Sequence, residues 1–214
     1  MSDTMDSGMQ WFDPTGGKGS VTARYGQTPS NAGQWEGKGV HTGVDYGIGA
    51  NSAAYAIAGG KVTAAGYDPT VGNYVSLEIA PGKVVNYAHL NDVSVKAGQV
   101  VKGGESVGLT GNTGSSSRGA HLHNEYIMNG DFVSPEVFYG SKNIPAFAKG
   151  TYVQGSKSSL GKAWSYKGAP AIKGGTNVAS VSSSKEFTSA KTPSNLGARL
   201  TSASTSSNVV SKIF

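Results

Sequence analysis

Cysteine is absent from the 214 residues, which excludes disulfide bonds and thiolate metal sites. Charge is scarce as well. Asp, Glu, Lys and Arg make up 14% of the chain, too little for long helices laced by ion pairs. No apolar run reaches the ~18 residues that a membrane-spanning helix needs, so no membrane span is expected. The first residues, Met1-Ser-Asp-Thr-Met-Asp-Ser-Gly, lack a basic segment followed by an apolar one, so no signal peptide is expected. A chain of this kind that acts outside a cell is expected to be processed, carried in a larger assembly or released by lysis. Helix periodicity is also missing: before residue 135 no stretch longer than two turns carries it, and no heptad repeat occurs.

What is abundant is glycine, at 32 residues, which favours short strands and tight turns. Residues 20–26 alternate and break at Gly26. Residues 54–66, 73–79 and 83–88 alternate again, with DPTVG and APG as the turns between the later runs. Short strands at such spacing predict an all-β sandwich or barrel. Ser134-Pro135-Glu-Val-Phe138 predicts a short helix with Ser134 as N-cap and Pro135 in its first turn. Residues 1–19 read as a polar linker or arm, 20–145 as the domain, and 27–39 as a loop in which Trp35 packs on the core or lines a groove.

Residues 146–214 read as an extension that cannot bury a core of its own. Their last stretch, 171–214, holds eleven Ser and five Thr. Residues 1–150 carry ten Lys/Arg against twelve Asp/Glu, whereas 151–214 carry eight against one. The basic character of the chain thus belongs to the tail. Such a tail suits polyanions such as nucleic acid, teichoic acid or lipid, or is simply solvated.

The four histidines are His41, His89, His121 and His123. His121 and His123 are two apart in the run HLHNEYIM, which reads as a strand, so both face one side. They suit a metal, proton transfer or merely a solvated surface. Glu125 falls on the same face, either orienting an imidazole or forming a cross-strand ion pair. His41 and Asp45 stand at an even offset and suit either a pair of zinc ligands or a hydrogen-bonded pair without metal. His89 lies at a strand end, where side chains border grooves. Tyr25 and Tyr46 read as core residues beside this constellation.

Taken together, His41-x-x-x-Asp45, Asn86-Tyr-Ala-His89-Leu90 and His121-x-His123 resemble peptidase family M23, the lysostaphin/LytM-like zinc endopeptidases of bacterial cell walls. Val40-His-Thr-Gly-Val-Asp45-Tyr resembles the family's H-x-G-x-D segment. Val95-Lys-Ala-Gly-Gln-Val-Val-Lys-Gly-Gly-Glu-Ser-Val-Gly-Leu-Thr-Gly111 resembles its glycine-punctuated hairpin. The resemblance covers about residues 20–140. It implies a two-sheet antiparallel open sandwich, to which the composition after residue 145 adds a largely irregular C-terminal extension. It further implies Zn2+ held by His41, Asp45 and His123, with His89 and His121 as the catalytic pair. Three protein ligands leave one tetrahedral position open, as a catalytic zinc site requires.

The implied activity is hydrolysis of a peptide bond in peptidoglycan, in stem peptide or cross-bridge, and no nucleic-acid partner is expected. The missing signal peptide and the basic tail add a second expectation. The chain acts extracellularly or in a virion, as a cell-wall lysin of a bacteriophage tail that contacts other tail proteins through residues 146–214. The alternative is a structural tail component or wall-binding module in which the peptidase fold is accessory or inactive. Two departures from the family pattern flank the site: Ser117-Arg-Gly-Ala120 replaces the usual Ser-Thr-Gly-Pro, and Asn124 stands where an aromatic residue is common.

Overall fold

The structure, a computed structural model, describes residues 9–28, 40–154 and 159–162. In chain order its strands are β1 (Ser20–Ala23), β2 (Gly43–Gly47), β3 (Ala53–Tyr55), β4 (Gly60–Asp68), β5 (Gly72–Ala80) and β6 (Lys83–Leu90). They continue as β7 (Asp92–Val93), β8 (Val100–Val101), β9 (Ser106–Leu109), β10 (His121–Met128), β11 (Asp131–Val133) and β12 (Ser159–Lys162). The larger sheet runs β1-β2-β10-β6-β5-β4-β8, with β11 on β10 and β12 on β11; the smaller runs β3-β9-β7. All strand pairings are antiparallel and neither sheet closes on itself, so the fold is an open all-β sandwich.

One apolar cluster joins the two sheets. Ala54 and Val107 of the small sheet pack with Val44, Val62, Val75, Leu77, Val85, Tyr87, Leu122 and Tyr126 of the large one. Strand alternation sends the remaining residues of the large sheet to its other face. On β6, Val85 and Tyr87 enter the core while Asn86 and Ala88 face away. On β10, Leu122 and Tyr126 enter the core while His121, His123 and Glu125 face away. The polar groups thus gather on the outer face, where Ala64, Tyr74 and Ala88 form a smaller apolar floor with Val71. Tyr25 and Tyr46 are core residues, as expected, and the Tyr25 hydroxyl donates to the Phe132 carbonyl at 3.2 Å.

The short helix α1 (Pro135–Tyr139) follows its sequence signal. Ser134 accepts a hydrogen bond from the Val137 amide, and Pro135 sits in the first turn, where its missing N–H is no loss.

Packed structure extends past residue 20 on one side and past residue 145 on the other. Trp11 stacks edge-on against Tyr139 with ring centroids 4.7 Å apart, and the Phe12 amide donates to the Ile57 carbonyl at 2.8 Å. Ala148 and Thr151 are buried, and Tyr25 exchanges main-chain hydrogen bonds with Thr151 and Val153. β12, from the stretch read as largely irregular, adds to the sheet beside β11. These apolar groups are too sparse to show as a pattern in sequence; each finds a partner only in the assembled core. Trp35, within 29–39, lies outside the described residues, as does 163–214 with the Ser/Thr-rich stretch. Among the described residues, no helix is long and apolar enough to cross a membrane.

Candidate metal centre

β2 and β10 are neighbours in register, with His123 opposite Asp45 and His121 opposite Gly47. His41 precedes β2 and is tied to the preceding segment: the Gly26 amide donates to its carbonyl, and its own amide donates to Gln27. These restraints bring His41 Nε2, Asp45 Oδ1 and His123 Nδ1 together, with separations of 3.2 Å (His41–Asp45), 3.2 Å (His41–His123) and 2.7 Å (His123–Asp45). Donors about 2.0–2.1 Å from a tetrahedral zinc stand roughly 3.3 Å apart, so two of the three edges already fit and the third opens by about half an ångström. Two imidazoles and a carboxylate, without thiolate, suit zinc.

The glycine of the H-x-G-x-D segment has a steric reason. A Cβ on Gly43 would lie 2.3 Å from the Asn124 carbonyl oxygen and 2.9 Å from His123 Cε1. Only glycine lets β2 and β10 approach this closely with the His123 ring over the backbone.

The other two imidazoles border the same space. The His89 ring centroid is 4.8 Å from that of His121 and 5.6 Å from that of His123, and His121 Nε2 is 3.6 Å from Asp45 Oδ1. His89 reaches this face through an irregularity. By alternation with core residue Tyr87 and groove residue Ala88, it would point into the core. Ala88 and His89 instead jointly oppose Tyr74 across the β5–β6 ladder, a β-bulge, and His89 takes φ 62°. Left-handed backbone at a non-glycine residue costs on the order of 1–2 kcal/mol, and here it turns an imidazole from core to groove.

Main-chain carbonyls fix three of the rings. His41 Nδ1 donates to Arg24 at 3.0 Å, His89 Nδ1 to Thr113 at 2.9 Å and His121 Nδ1 to Gly119 at 2.8 Å. A carbonyl only accepts, so each ring, when neutral, carries its proton on Nδ1 and its lone pair on Nε2; the Nε2 atoms of His41 and His121 lie 3.2 and 3.6 Å from Asp45 Oδ1. The loop carrying Thr113 and Gly119 is itself braced. Asn112 accepts from Ser117 and from the Gly119 amide, while Ser115 and Ser116 donate to Pro69 and Thr70. Asn86, Thr42 and these loop carbonyls carry no metal-ligand signature, and sequence reading passes over their roles. Their one signal is adjacency, Thr42 beside His41 and Asn86 three residues before His89.

The charges follow from this crowding. Burial raises the Asp45 carboxyl, but hydrogen bonds and charge from His123 and His41 outweigh it and hold the group well below the usual carboxylate range. Burial disfavours a proton on His123, yet Asp45 and Glu125 override it and raise the ring to about 10. Any metal therefore displaces a proton there. Burial, together with His123 and His121, pushes His89 down to about 4, so its Nε2 is a free base at neutral pH. Asn124, on the core-facing side of β10, donates to the Asn86 carbonyl at 3.0 Å. It does not line the groove, and this departure from the family pattern bears on packing rather than on substrate.

Three donors converging on one point, two further imidazoles beside it and an open sandwich beneath define a metallopeptidase-type centre. Residues 39–135 match the model of peptidase family M23, and the chain carries a domain of that family. It is similar to the peptidoglycan DD-endopeptidase ShyC of Vibrio cholerae, 31% identical over 57% of this chain and 28% of ShyC. Among solved structures, the catalytic domain of the prophage-encoded M23 protein EnpA of Enterococcus faecalis, solved as a mutant, is 28% identical, with a TM-score of 0.53 over 61% of this chain and 98% of that one. Lysostaphin of Staphylococcus simulans is 27% identical, with a TM-score of 0.54 over 67% of this chain and 58% of that one. The chain spans only about a fifth to a quarter of the curated relatives' length, from 20% to 28%.

Proposed function

We propose that this protein is a zinc-dependent endopeptidase that hydrolyses peptide bonds in bacterial peptidoglycan, in stem peptide or cross-bridge. The observation that carries this reading is the His41–Asp45–His123 triangle with the His89 and His121 rings beside it, His121 Nε2 3.6 Å from Asp45 Oδ1 and the His89 ring centroid 5.6 Å from that of His123. In this reading His41, Asp45 and His123 hold the zinc, which supplies Lewis acidity, polarising a carbonyl and acidifying a water. His89 and His121 move the protons. One takes the proton that water releases as its oxygen bonds the scissile carbonyl carbon, and a proton passes to the amide nitrogen as the C–N bond breaks. The Thr113 and Gly119 carbonyls hold both rings in the tautomer this needs. The naming of ShyC as a peptidoglycan DD-endopeptidase supports the substrate class. Chelation is expected to abolish wall lysis and zinc to restore it; lysis that survives exhaustive chelation contradicts the reading.

We further propose that the protein works outside a cell or in a virion, as a lysin of a bacteriophage tail used during genome entry. The eight Lys/Arg against one acidic residue in 151–214 and the prophage origin of EnpA favour this setting. Mass spectrometry of purified particles tests it: the chain is expected in the particles, and its presence only free in the medium points to a secreted hydrolase instead.

A further inference from the structure

His123 is turned the opposite way from the other three histidines. His41, His89 and His121 give Nδ1 to a main-chain carbonyl, and His41 and His121 present Nε2 to Asp45. His123 presents Nδ1 to the centre, and its Nε2 faces a side-chain carboxylate, Glu125 Oε1, at 3.4 Å. That carboxylate is almost fully buried and is held from two sides. Oε1 accepts from the Thr42 hydroxyl and Oε2 from the Asn86 amide, each at 2.9 Å. Asn86 is held in turn, its Oδ1 accepting from the Ser76 hydroxyl at 2.7 Å. Thr42 adjoins His41, while Ser76, Asn86 and Glu125 lie on the neighbouring strands β5, β6 and β10. The buried line Ser76–Asn86–Glu125–His123 thus crosses three strands and ends at the metal donors.

We propose that Glu125 is the positioning residue of this site: clamped by Thr42 and Asn86, it accepts Nε2–H of His123 and so leaves the Nδ1 lone pair for zinc. This rests on the reading of His123 as a zinc ligand. An ionised carboxylate only accepts, which fixes both the end of the Asn86 amide that faces it and the tautomer of the ring on its other side. The i, i+2 spacing of His123 and Glu125 on β10 places the carboxylate behind the ligand it orients.

The proposal predicts a polarity effect that loss of packing does not produce. In E125Q the Asn86 amide still needs an acceptor, so the glutamine turns its oxygen to Asn86 and its NH2 to His123. The ring then accepts at Nε2 and carries its proton on Nδ1, where zinc must bind. In N86D/E125Q the carboxylate at position 86 accepts from both Ser76 and the glutamine NH2. The glutamine oxygen faces His123 again and the productive tautomer returns.

The test is zinc affinity of the purified chain, measured by competition with a chromogenic chelator, with thermal denaturation of each metal-free variant alongside. E125Q is expected to bind zinc about 10–100-fold more weakly than the unsubstituted chain, and N86D/E125Q to recover most of that loss. Equal zinc affinity of E125Q and the unsubstituted chain overturns the proposal. So does a double variant that melts like the unsubstituted chain but binds zinc no better than E125Q. An unsubstituted chain that binds no zinc overturns instead the zinc reading on which the proposal rests.

Discussion

At Gly43 a single added methyl group would meet both the Asn124 carbonyl and the His123 ring. G43A is therefore expected to destabilise the domain by about 1–3 kcal/mol and to weaken zinc binding, since the strand contact that sets His123 against Asp45 must widen. Calorimetry and zinc titration check this, and unchanged values for both contradict it. Residues of the centre are expected to divide sharply under substitution. H123A is expected to lose zinc, and H89A to keep it and lose turnover by about 100-fold or more, since in the proposed mechanism His89 supplies a base and no ligand. Metal content measured beside peptide cleavage separates the two. At this scale the sequence is legible wherever chemistry demands a particular side chain: the five residues that the fold brings together here stand out by type and spacing. It is silent where the main chain does the work, since the carbonyls of Arg24, Thr113 and Gly119 that orient His41, His89 and His121 belong to residues of any type.

Among the elements, β6 best separates what alternation reveals from what it hides. Its apolar-polar pattern predicts the strand and its core face, yet a strict period of two would turn His89 to the core side of the sheet. The bulge that reverses His89 depends on pairing with β5 and on the loop at Val71, which accepts the His89 amide at 2.9 Å. Neither is a local property. The same holds for the ends of the domain. Residues 151 and 153 pair with Tyr25, next to the Arg24 carbonyl that anchors His41, and Arg24 Nε also donates to the Gly150 carbonyl at 2.7 Å. A chain cut after residue 145 is expected to lose about 2 kcal/mol or more of stability, through exposure of the core around Ala148 and loss of these bonds. It is also expected to bind zinc more weakly through a loosened His41. Denaturant unfolding of the two lengths compares them, and equal midpoints contradict the account.

For the molecule as a whole, the histidine shifts set how stability of the metal-free protein responds to pH. His89, pushed down to about 4, refuses in the folded state a proton that the unfolded chain accepts below roughly 6.5, so stability falls as pH drops through that window. Asp45, held low, contributes stability above its unfolded value near 3.8 that is lost at more acidic pH. His123, raised to about 10, contributes fully below roughly 6.5 and loses its contribution as pH rises toward 10. Stability of the chelated protein is therefore expected to peak near pH 6.5 and to fall on both sides, and H89Q is expected to flatten the slope between about 6.5 and 4. Thermal denaturation across pH reads both, and an unaltered acid slope in H89Q contradicts the placement of a neutral, buried His89. The central claim is that zinc at His41, Asp45 and His123, worked by His89 and His121, cuts peptide bonds in the bacterial wall. Its most direct test is digestion of purified peptidoglycan by the zinc-loaded chain, with mass analysis of the new termini. Paired new amino and carboxyl termini are expected within the peptide part, absent with H89A; release of no new peptide termini from any cross-bridge type by the zinc-loaded chain contradicts this activity.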